Sequence, residues 1–415
     1  MMKNILPSDG RGRRLLLAAA LAASAAGAAS AKDAANFQLV HPWVAPPEQK
    51  ALGILRSTIE KAGLTWVDDP VSTNFDGVRQ KLAALMALHL PPTAVFWIGG
   101  ADAGDLLASK IIRVVPAQGE GEKPAFRFDP EIERLVATEG GYTALPLNIH
   151  TQNHIVYNRA VFDRLKLGAP KSWEEFLQMA PAIRASGVVP LAMSDERWQI
   201  RFLILSILVE QIDPMTMERL LTGVATERAA MRAGLVNSFR LLKRLHEFAN
   251  ADNHALPWGR VVEMVQTGKA ASAVLGDFMS PAFDNPAQFS CGLPPGNKYI
   301  IWSFDVLLFP TLPTPEQTHF QNVAIGALNT QSFLDEYASA KGGLPVVQGA
   351  QPAGINYCSN VVLKLWNQGL PKVNVTPLVW RNAFNVIAAA AEMFWSKPNM
   401  TAEEAADLVF RMIGK

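Results

Sequence analysis

The first third of the chain alternates short strand-like segments with helical segments, and this order restricts the fold more than any other feature. Residues 37–40 alternate as a strand does, and residues 47–62 carry apolar side chains at helical spacing between Pro47 and Gly63. LTWVDDP and TAVFWIGG predict two further strands, each followed by a predicted helix, DGVRQKLAALMALHL and DAGDLLASK. Strands that alternate with helices predict a doubly wound α/β lobe with a parallel sheet.

The same order continues beyond this lobe. A strand is predicted near residues 152–157 and a helix after Asn158, and Ser172 and Glu175 form a capping box for the next helix. The middle third is rich in helical patterns, and it ends at the predicted strand ASAVLGD. YIIWSFDVLLFP predicts a further strand, in which Asp305 interrupts an apolar run, and the C-terminal part is again helical.

The N-terminus predicts a secretory signal peptide over residues 1–31. Arg11, Arg13 and Arg14 precede an apolar run of 17 residues that ends in an Ala-x-Ala site at Ala31. A membrane helix is the alternative, but it needs about 20 apolar residues. We therefore expect a periplasmic protein that is cleaved near Ala31, with the Sec and twin-arginine routes both open.

The charge of the chain after cleavage is nearly balanced. Removing residues 1–31 takes away four of the 38 basic and one of the 37 acidic residues, which leaves a net charge near −2. A chain with this balance lacks the excess of positive charge that binding to nucleic acid or to an anionic membrane requires. No later segment is apolar enough to span a bilayer, so we expect a soluble exported protein of two or three domains.

Only two cysteines are present, Cys291 and Cys358. In an exported protein an isolated pair predicts one disulfide. It would close a loop of roughly 66 residues, which the chain-entropy model values at about 4 kcal/mol. Two unpaired buried thiols are the alternative.

The motifs of several enzyme classes are absent. The chain has no complete phosphate loop, dinucleotide fingerprint, zinc-protease helix or nucleophile elbow, and its seven histidines lack the spacing of metal ligands. We therefore predict no catalytic residue, no metal and no cofactor. Paired carboxylates for glycoside hydrolysis stay open, because their spacing is spatial rather than sequential.

Several of the ten tryptophans lie where predicted strands end, among them Trp43, Trp97 and Trp302. In α/β sheets ligands collect at the carboxyl ends of strands, and a flat aromatic ring there can stack on the apolar face of a sugar. Packing in the core is the commoner role of an aromatic side chain. Both interpretations stay open for each ring.

Three segments resemble the family 1 extracellular solute-binding proteins. They are the long run from LPLNIHTQNHIVYN through KSWEEFL to SDERWQ, then GKAASAVLGDFM, and KGGLPVVQ. The resemblance covers nearly the whole mature chain and is strongest to the glucose/mannose-binding branch, in which a cysteine pair occupies the positions of Cys291 and Cys358. It implies a two-lobed periplasmic-binding-protein fold of type II, with doubly wound α/β sheets joined by crossover hinge strands. The implied lobe 1 is 36–147 plus 300–345, and lobe 2 is 148–299 plus 346–415.

The resemblance also implies a function. Such a protein captures a sugar between its lobes and delivers it to the inner-membrane permease subunits of an ABC importer; we expect it to act as a monomer. The alternatives are an oligosaccharide, a polyol or a glycerol-phosphate ester as ligand, a sugar-binding sensor, or an exported glycoside-processing enzyme.

The ligand-binding residues follow from the same resemblance and from the positions of the tryptophans. Trp43 would stack on the sugar, Glu48 and Asp305 would accept hydrogen bonds from its hydroxyls, and Lys341 would donate. The full predicted set is Trp43, Glu48, Trp97, His150, Trp198, Gln199, Asp277, Asp305 and Lys341.

The chain departs from the family at several of these segments. Phe278 replaces a tryptophan and Gly343 a serine, and Val347 and Gln348 stand where an arginine is expected. Pro42 replaces an aromatic residue, and prolines 46 and 47 replace glycines of a turn. These departures concern the identity of the sugar rather than the fold.

Overall fold

The structure is a computed structural model that describes residues 35–44, 46–71, 74–100, 102–117, 126–213, 228–375 and 383–413. The predicted signal peptide lies outside these residues. Within them, no helix combines the length and the apolar character that crossing a membrane requires.

The strands that the sequence predicts have counterparts in the structure, whereas those at 115–116, 137–138, 141–142, 145–151, 289–292 and 372–374 were not predicted. The strands are β1 Asn36–His41, β2 Thr65–Pro70, β3 Ala94–Ile98, β4 Val115–Pro116, β5 Ala137–Thr138, β6 Gly141–Tyr142, β7 Leu145–Thr151, β8 His154–Asn158, β9 Val189–Ala192, β10 Ala270–Leu275, β11 Phe289–Gly292, β12 Ile300–Leu308 and β13 Lys372–Asn374. The helices are α1 Pro46–Lys61, α2 Asn74–Ala87, α3 Asp102–Ala108, α4 Pro130–Val136, α5 Arg159–Arg164, α6 Trp173–Ala185, α7 Arg197–Gln211, α8 Arg228–His246, α9 Trp258–Gln266, α10 Pro315–Leu328, α11 Gln331–Lys341, α12 Tyr357–Asn367, α13 Ala383–Ser396 and α14 Ala402–Ile413, with a 3-10 helix at Asp277–Phe283.

The first sheet is mixed rather than wholly parallel. Its order is β13-β12-β3-β1-β2, and β7 pairs with β12 as well. β1 runs parallel to β2 and β3, as predicted, but β12 runs antiparallel to β3 and β7. The prediction of a parallel sheet is wrong for β12, because this strand enters the sheet from the second lobe and not from a helix of the first.

The second sheet has the order β11-β8-β10-β9. The chain leaves the first sheet at the end of β7 and enters the second at β8, with only Gln152 and Asn153 between them. It returns to the first sheet through β12. The two sheets therefore meet at β7 and β12, and the polar side chains of these two strands lie at the junction.

Two large apolar cores correspond to the two sheets. One draws on residues between 37 and 149 and between 300 and 366, and the other mainly on residues between 155 and 275 and between 373 and 409. Apolar side chains from 344 to 366 pack in the first core, which extends past the predicted boundary at residue 345. The division into lobes at the stated residues stays a prediction.

Two local predictions have direct counterparts. Ser172 Oγ accepts a hydrogen bond from the Glu175 backbone N–H at 3.1 Å, whereas the Glu175 carboxylate accepts from Lys171 N–H at 2.6 Å and not from Ser172. The predicted disulfide between Cys291 and Cys358 is confirmed, and its Cα atoms lie 5.3 Å apart. It ties β11 to the first turn of α12.

Candidate functional site

Four polar residues meet where the chain passes between the sheets. Asn148 and His150 lie two residues apart on β7 and therefore share one face of the strand. Asp305 lies opposite Asn148 on β12, and Asp277 begins the 3-10 helix after β10. All four side chains are buried. Burial of this much charge requires that the groups pair with one another.

His150 is the centre of this cluster. Its Nδ1 lies 2.6 Å from Asp277 Oδ1, and its Nε2 lies 3.1 Å from Asp305 Oδ2. Burial alone would lower the pKa of His150, but the two carboxylates raise it to about 9. The ring is thus protonated at neutral pH and donates to both carboxylates. The atom of the Asn148 amide that lies 2.9 Å from Nε2 is Nδ2. A protonated ring offers Nε2 only as a donor, so exchange of the amide nitrogen and oxygen would turn this contact into a hydrogen bond.

Asp277 also accepts hydrogen bonds from the last residue of β7, Thr151. Its Oδ2 accepts from the Thr151 backbone N–H at 2.7 Å and from the Thr151 hydroxyl at 3.0 Å. Together with His150 these bonds fix the start of the 3-10 helix that follows β10 to the end of β7. The carboxylate is fully buried and fully engaged.

Trp43 lies on the first-lobe side of the junction, directly after β1. It is 2% exposed, and its ring centroid lies 4.7 Å from that of Phe96. The Lys341 ammonium lies 5.0 Å from the centre of the Trp43 ring and 3.6 Å from Glu48 Oε1. The structure therefore brings Trp43, Glu48 and Lys341 together. The role of Trp43 as a stacking ring stays a prediction.

His41 holds Trp43 in place, which the sequence did not indicate. The Trp43 backbone N–H donates to His41 Nδ1 at 3.1 Å, and His41 Nε2 lies 3.0 Å from Asp68 Oδ1. Burial lowers the pKa of His41 despite the nearby carboxylate. Because Nδ1 accepts, the neutral ring carries its proton on Nε2 and donates it to Asp68.

The second-lobe side contains Trp198, Gln199 and Phe278. Trp198 Nε1 donates to Glu196 Oε2 at 2.6 Å, and its ring centroid lies 6.0 Å from that of Phe278. The Phe278 ring in turn lies 6.1 Å from the His150 ring, edge to face. Gln199 is fully buried, and its Oε1 has no hydrogen-bond partner among the described residues. These contacts connect this side to the central histidine.

Trp97 lies apart from this chain of contacts. Its Nε1 donates to Asp102 Oδ2 at 3.0 Å, and its ring packs edge to face on Phe75 at 4.9 Å. Trp302 is also buried, and it packs on Trp366 at 5.3 Å. Both rings have the surroundings of core residues. A role of Trp97 in ligand binding stays a prediction.

The departure at Gly343 has a steric reason. A Cβ atom there would lie 2.3 Å from Asn148 Nδ2 and 2.5 Å from the Ile149 carbonyl oxygen. The serine that the resemblance implies therefore has no room. Gly342, with φ of 88°, caps α11, and a Cβ there would lie 2.5 Å from Pro281 Cδ. The end of α11 thus packs closely on the 3-10 helix that carries Asp277.

Tyr337 belongs to the site, although it was not predicted. It is fully buried, and its hydroxyl has no partner among the described residues. Burial raises its pKa, and Asp305 and Glu48 add to the shift. A signal for it exists in the sequence, because Tyr337 and Lys341 are four residues apart and so share one face of α11. Asn148 could likewise be inferred from its alternation with His150.

Comparisons with known proteins agree with this architecture. The sequence model of the bacterial extracellular solute-binding proteins matches residues 59–298. A relative from Mesorhizobium japonicum, described as a probable sugar-binding periplasmic protein, is 26% identical over 369 residues, which cover 86% of this chain and 87% of the relative. An ABC transporter extracellular-binding protein from Pyrococcus horikoshii is 25% identical over 258 residues, 60% of this chain and 57% of that one.

Solved structures support the same two-lobed fold. A chitin oligosaccharide binding protein superposes with a TM-score of 0.74 at 20% identity, covering 92% of this chain and 98% of that one. A bacterial solute receptor with a stated preference for β-D-galactopyranose superposes with a TM-score of 0.72 at 15% identity, covering 91% and 97%. The relatives are binding proteins and not enzymes, which confirms the prediction of a non-catalytic protein. The family match spans more than half of the chain, and the chain belongs to the bacterial extracellular solute-binding proteins.

Proposed function

We propose that this protein captures a sugar between its two lobes in the periplasm and delivers it to the permease subunits of an ABC importer. The observation that carries the proposal is a buried cluster at the junction of the two sheets. In it His150 contacts both Asp277, which follows β10 of the second sheet, and Asp305, which lies on β12 of the first sheet. Polar groups collected at an interlobe junction, with aromatic rings on both sides, are suited to a hydroxylated ligand. The description of relatives as sugar-binding periplasmic proteins supports the same conclusion.

The chemistry of the junction matches that of an uncharged sugar, whose hydroxyls both donate and accept. Lys341 supplies a donor, Gln199 Oε1 an unused acceptor, and the Tyr337 hydroxyl both. Each hydrogen bond contributes about 0.5 to 1.5 kcal/mol. Several such bonds with one or two stacked rings reach the roughly 8 kcal/mol of a micromolar complex.

Opening and closing of the lobes would admit the sugar. The close approach between Gly342 and Pro281 joins α11 of the first lobe to the 3-10 helix of the second. Separation at this contact would expose Trp43, Glu48 and Lys341 on one wall, and Trp198, Gln199 and Asp277 on the other. A ligand that contacts both walls favours the closed form by its additional contacts there.

For the ligand itself, we propose a glucose- or mannose-like monosaccharide, in line with the resemblance of the sequence. Phe278 keeps an aromatic surface where the family has tryptophan, but it lacks the indole N–H donor. Gly343 removes a hydroxyl, and the Asn148 amide fills the space. The polar contacts of the bound sugar therefore differ from those of the glucose-binding branch.

A thermal-shift screen tests the proposal. The panel contains monosaccharides, disaccharides, longer oligosaccharides, polyols and glycerol-phosphate esters. A ligand at 100 times its dissociation constant stabilises the folded state by about 2.7 kcal/mol, so the melting temperature should rise for a glucose- or mannose-like sugar. A rise only with oligosaccharides or phosphate esters contradicts the monosaccharide assignment, and no rise with any sugar contradicts sugar binding.

The variant Gln199→Met localises the binding to the cleft. It keeps the side-chain volume and removes the unpartnered buried oxygen. We expect affinity for the identified sugar to fall about tenfold, which is about 1.4 kcal/mol, with little change in melting temperature. Asn329→Leu is the matched control, because Asn329 also has a buried unpartnered oxygen but lies at the end of α10. If both variants bind the sugar with equal affinity, the sugar does not contact Gln199 and binds outside the proposed cleft.

A further inference from the structure

A second cluster of chemically reactive side chains lies at the disulfide, beside the second sheet. His154 on β8, Cys291 on β11 and Cys358 on α12 place a ring nitrogen and both sulfurs within 4.8 Å of one another. The sheet register explains this meeting, because Cys291 lies opposite Val156 on the neighbouring strand. His154 is two residues from Val156 and therefore lies on the same face of the sheet.

His154 lacks the partners that a buried histidine ordinarily has. It is fully buried, and neither ring nitrogen has a hydrogen-bond partner among the described residues. Burial lowers its pKa to about 4, and the charge of Asp277 only partly opposes this. Neither ring nitrogen is thus engaged by another described group. Buried polar groups without partners are rare in native proteins and call for an explanation.

The residue types in this cluster suit a soft metal ion. Zinc binds thiolate sulfur and neutral imidazole nitrogen in tetrahedral sites, and two cysteines with one histidine supply three of the four ligands. As long as the sulfurs are joined in the disulfide they have no thiolate charge to offer. Cys291 is half-buried and Cys358 is fully buried, so Cys291 is the more exposed residue of the pair.

We propose that reduction of the Cys291–Cys358 disulfide creates a binding site for one thiophilic divalent cation such as Zn²⁺, with His154 as the third ligand. A dithiol reductant supplies two electrons and two protons, the S–S bond breaks, and the reductant forms its own disulfide. The cation then displaces the two thiol protons and accepts electron pairs from both thiolates and from the imidazole. Two thiolates neutralise the charge of the ion, and water takes the fourth position.

Cadmium titration tests this directly. The mature protein is reduced with a dithiol, freed of the reductant under argon and titrated with Cd²⁺, while the thiolate-to-cadmium charge-transfer absorption is recorded. We expect one Cd²⁺ per reduced chain and no such absorption from the oxidised protein. Absence of the band from the reduced protein would overturn the proposal.

His154→Gln tests the third ligand. We expect it to weaken Cd²⁺ binding by about tenfold or more, since even groups that only orient ligands are worth that much. His246→Gln is the matched control, because burial also lowers the pKa of His246, but its ring stacks on Trp395 away from the sulfurs. Unchanged affinity of folded His154→Gln would refute the assignment. X-ray absorption of the Zn²⁺-loaded wild type, which needs no variant, should show two sulfurs and one imidazole; a spectrum without imidazole would also refute it.

Discussion

His150 and His154 are four residues apart, and both are buried, yet their surroundings give them opposite protonation states. His150 lies between two carboxylates, which raise its pKa to about 9 against the effect of burial. His154 has no hydrogen-bond partner among the described residues, and burial lowers its pKa to about 4. One is a charged link at the junction of the lobes, and the other is a neutral ring beside a disulfide.

The difference shows that burial by itself does not decide the charge of a histidine. The two rings lie on consecutive strands, but β7 faces Asp305 of the first sheet and the 3-10 helix, whereas β8 faces the apolar cluster around Cys358. The charge of each ring therefore depends on which distant elements lie opposite its strand. Three measurements can break or sharpen this comparison.

The largest effect is expected for His150→Leu. This change leaves Asp277 and Asp305 buried without their shared cation, and removal of one partner from a buried ion pair costs about 3–5 kcal/mol. Urea unfolding at pH 7 measures the loss. His154→Leu, four residues further along the chain and beside the disulfide, is the matched variant. If both variants lose equal stability, the two histidines do not differ in the way described.

A smaller effect is expected from pH. Because the pKa of His150 is higher in the folded protein than the ordinary value near 6.5, its contribution is complete below pH 6.5 and is lost as the pH rises through about 9. Between pH 6.5 and 9.5 this loss is on the order of 2 to 3 kcal/mol in the free energy of unfolding. Urea midpoints across this range measure it. The decline should be much shallower in His150→Gln, and an equal slope in that variant would contradict the assignment.

The smallest effect is expected for His154→Leu in the oxidised protein. Leucine has a similar volume and removes two polar atoms that gain nothing from their surroundings, so stability should change by less than about 1 kcal/mol. Thermal and urea unfolding both measure it. A loss of several kcal/mol would mean that His154 makes a stabilising polar interaction in the disulfide form.

The sequence predicted the order of the elements well, because that order is written in local patterns. Alternation at residues 37–40 corresponds to β1, the capping serine Ser172 precedes α6, and the C-terminal part predicted as helical contains α14. The disulfide could also be inferred, since Cys291 and Cys358 are the only cysteines of the chain. For the site, residue types and resemblance selected Glu48, Lys341, Asp277 and Asp305, which the structure places in the contacts described above.

Tertiary structure alone decided which of these groups meet. Asp277 and Asp305 lie 127 and 155 residues from His150, so no local period could indicate that both carboxylates contact one ring. The antiparallel course of β12, the Asn148 amide that excludes a side chain at Gly343, and the core position of Trp97 likewise depend on elements distant in the chain. Local patterns determine helices and strands because hydrogen bonding and side-chain periodicity act over a few residues, whereas charge state and close packing depend on whichever surfaces the fold brings together.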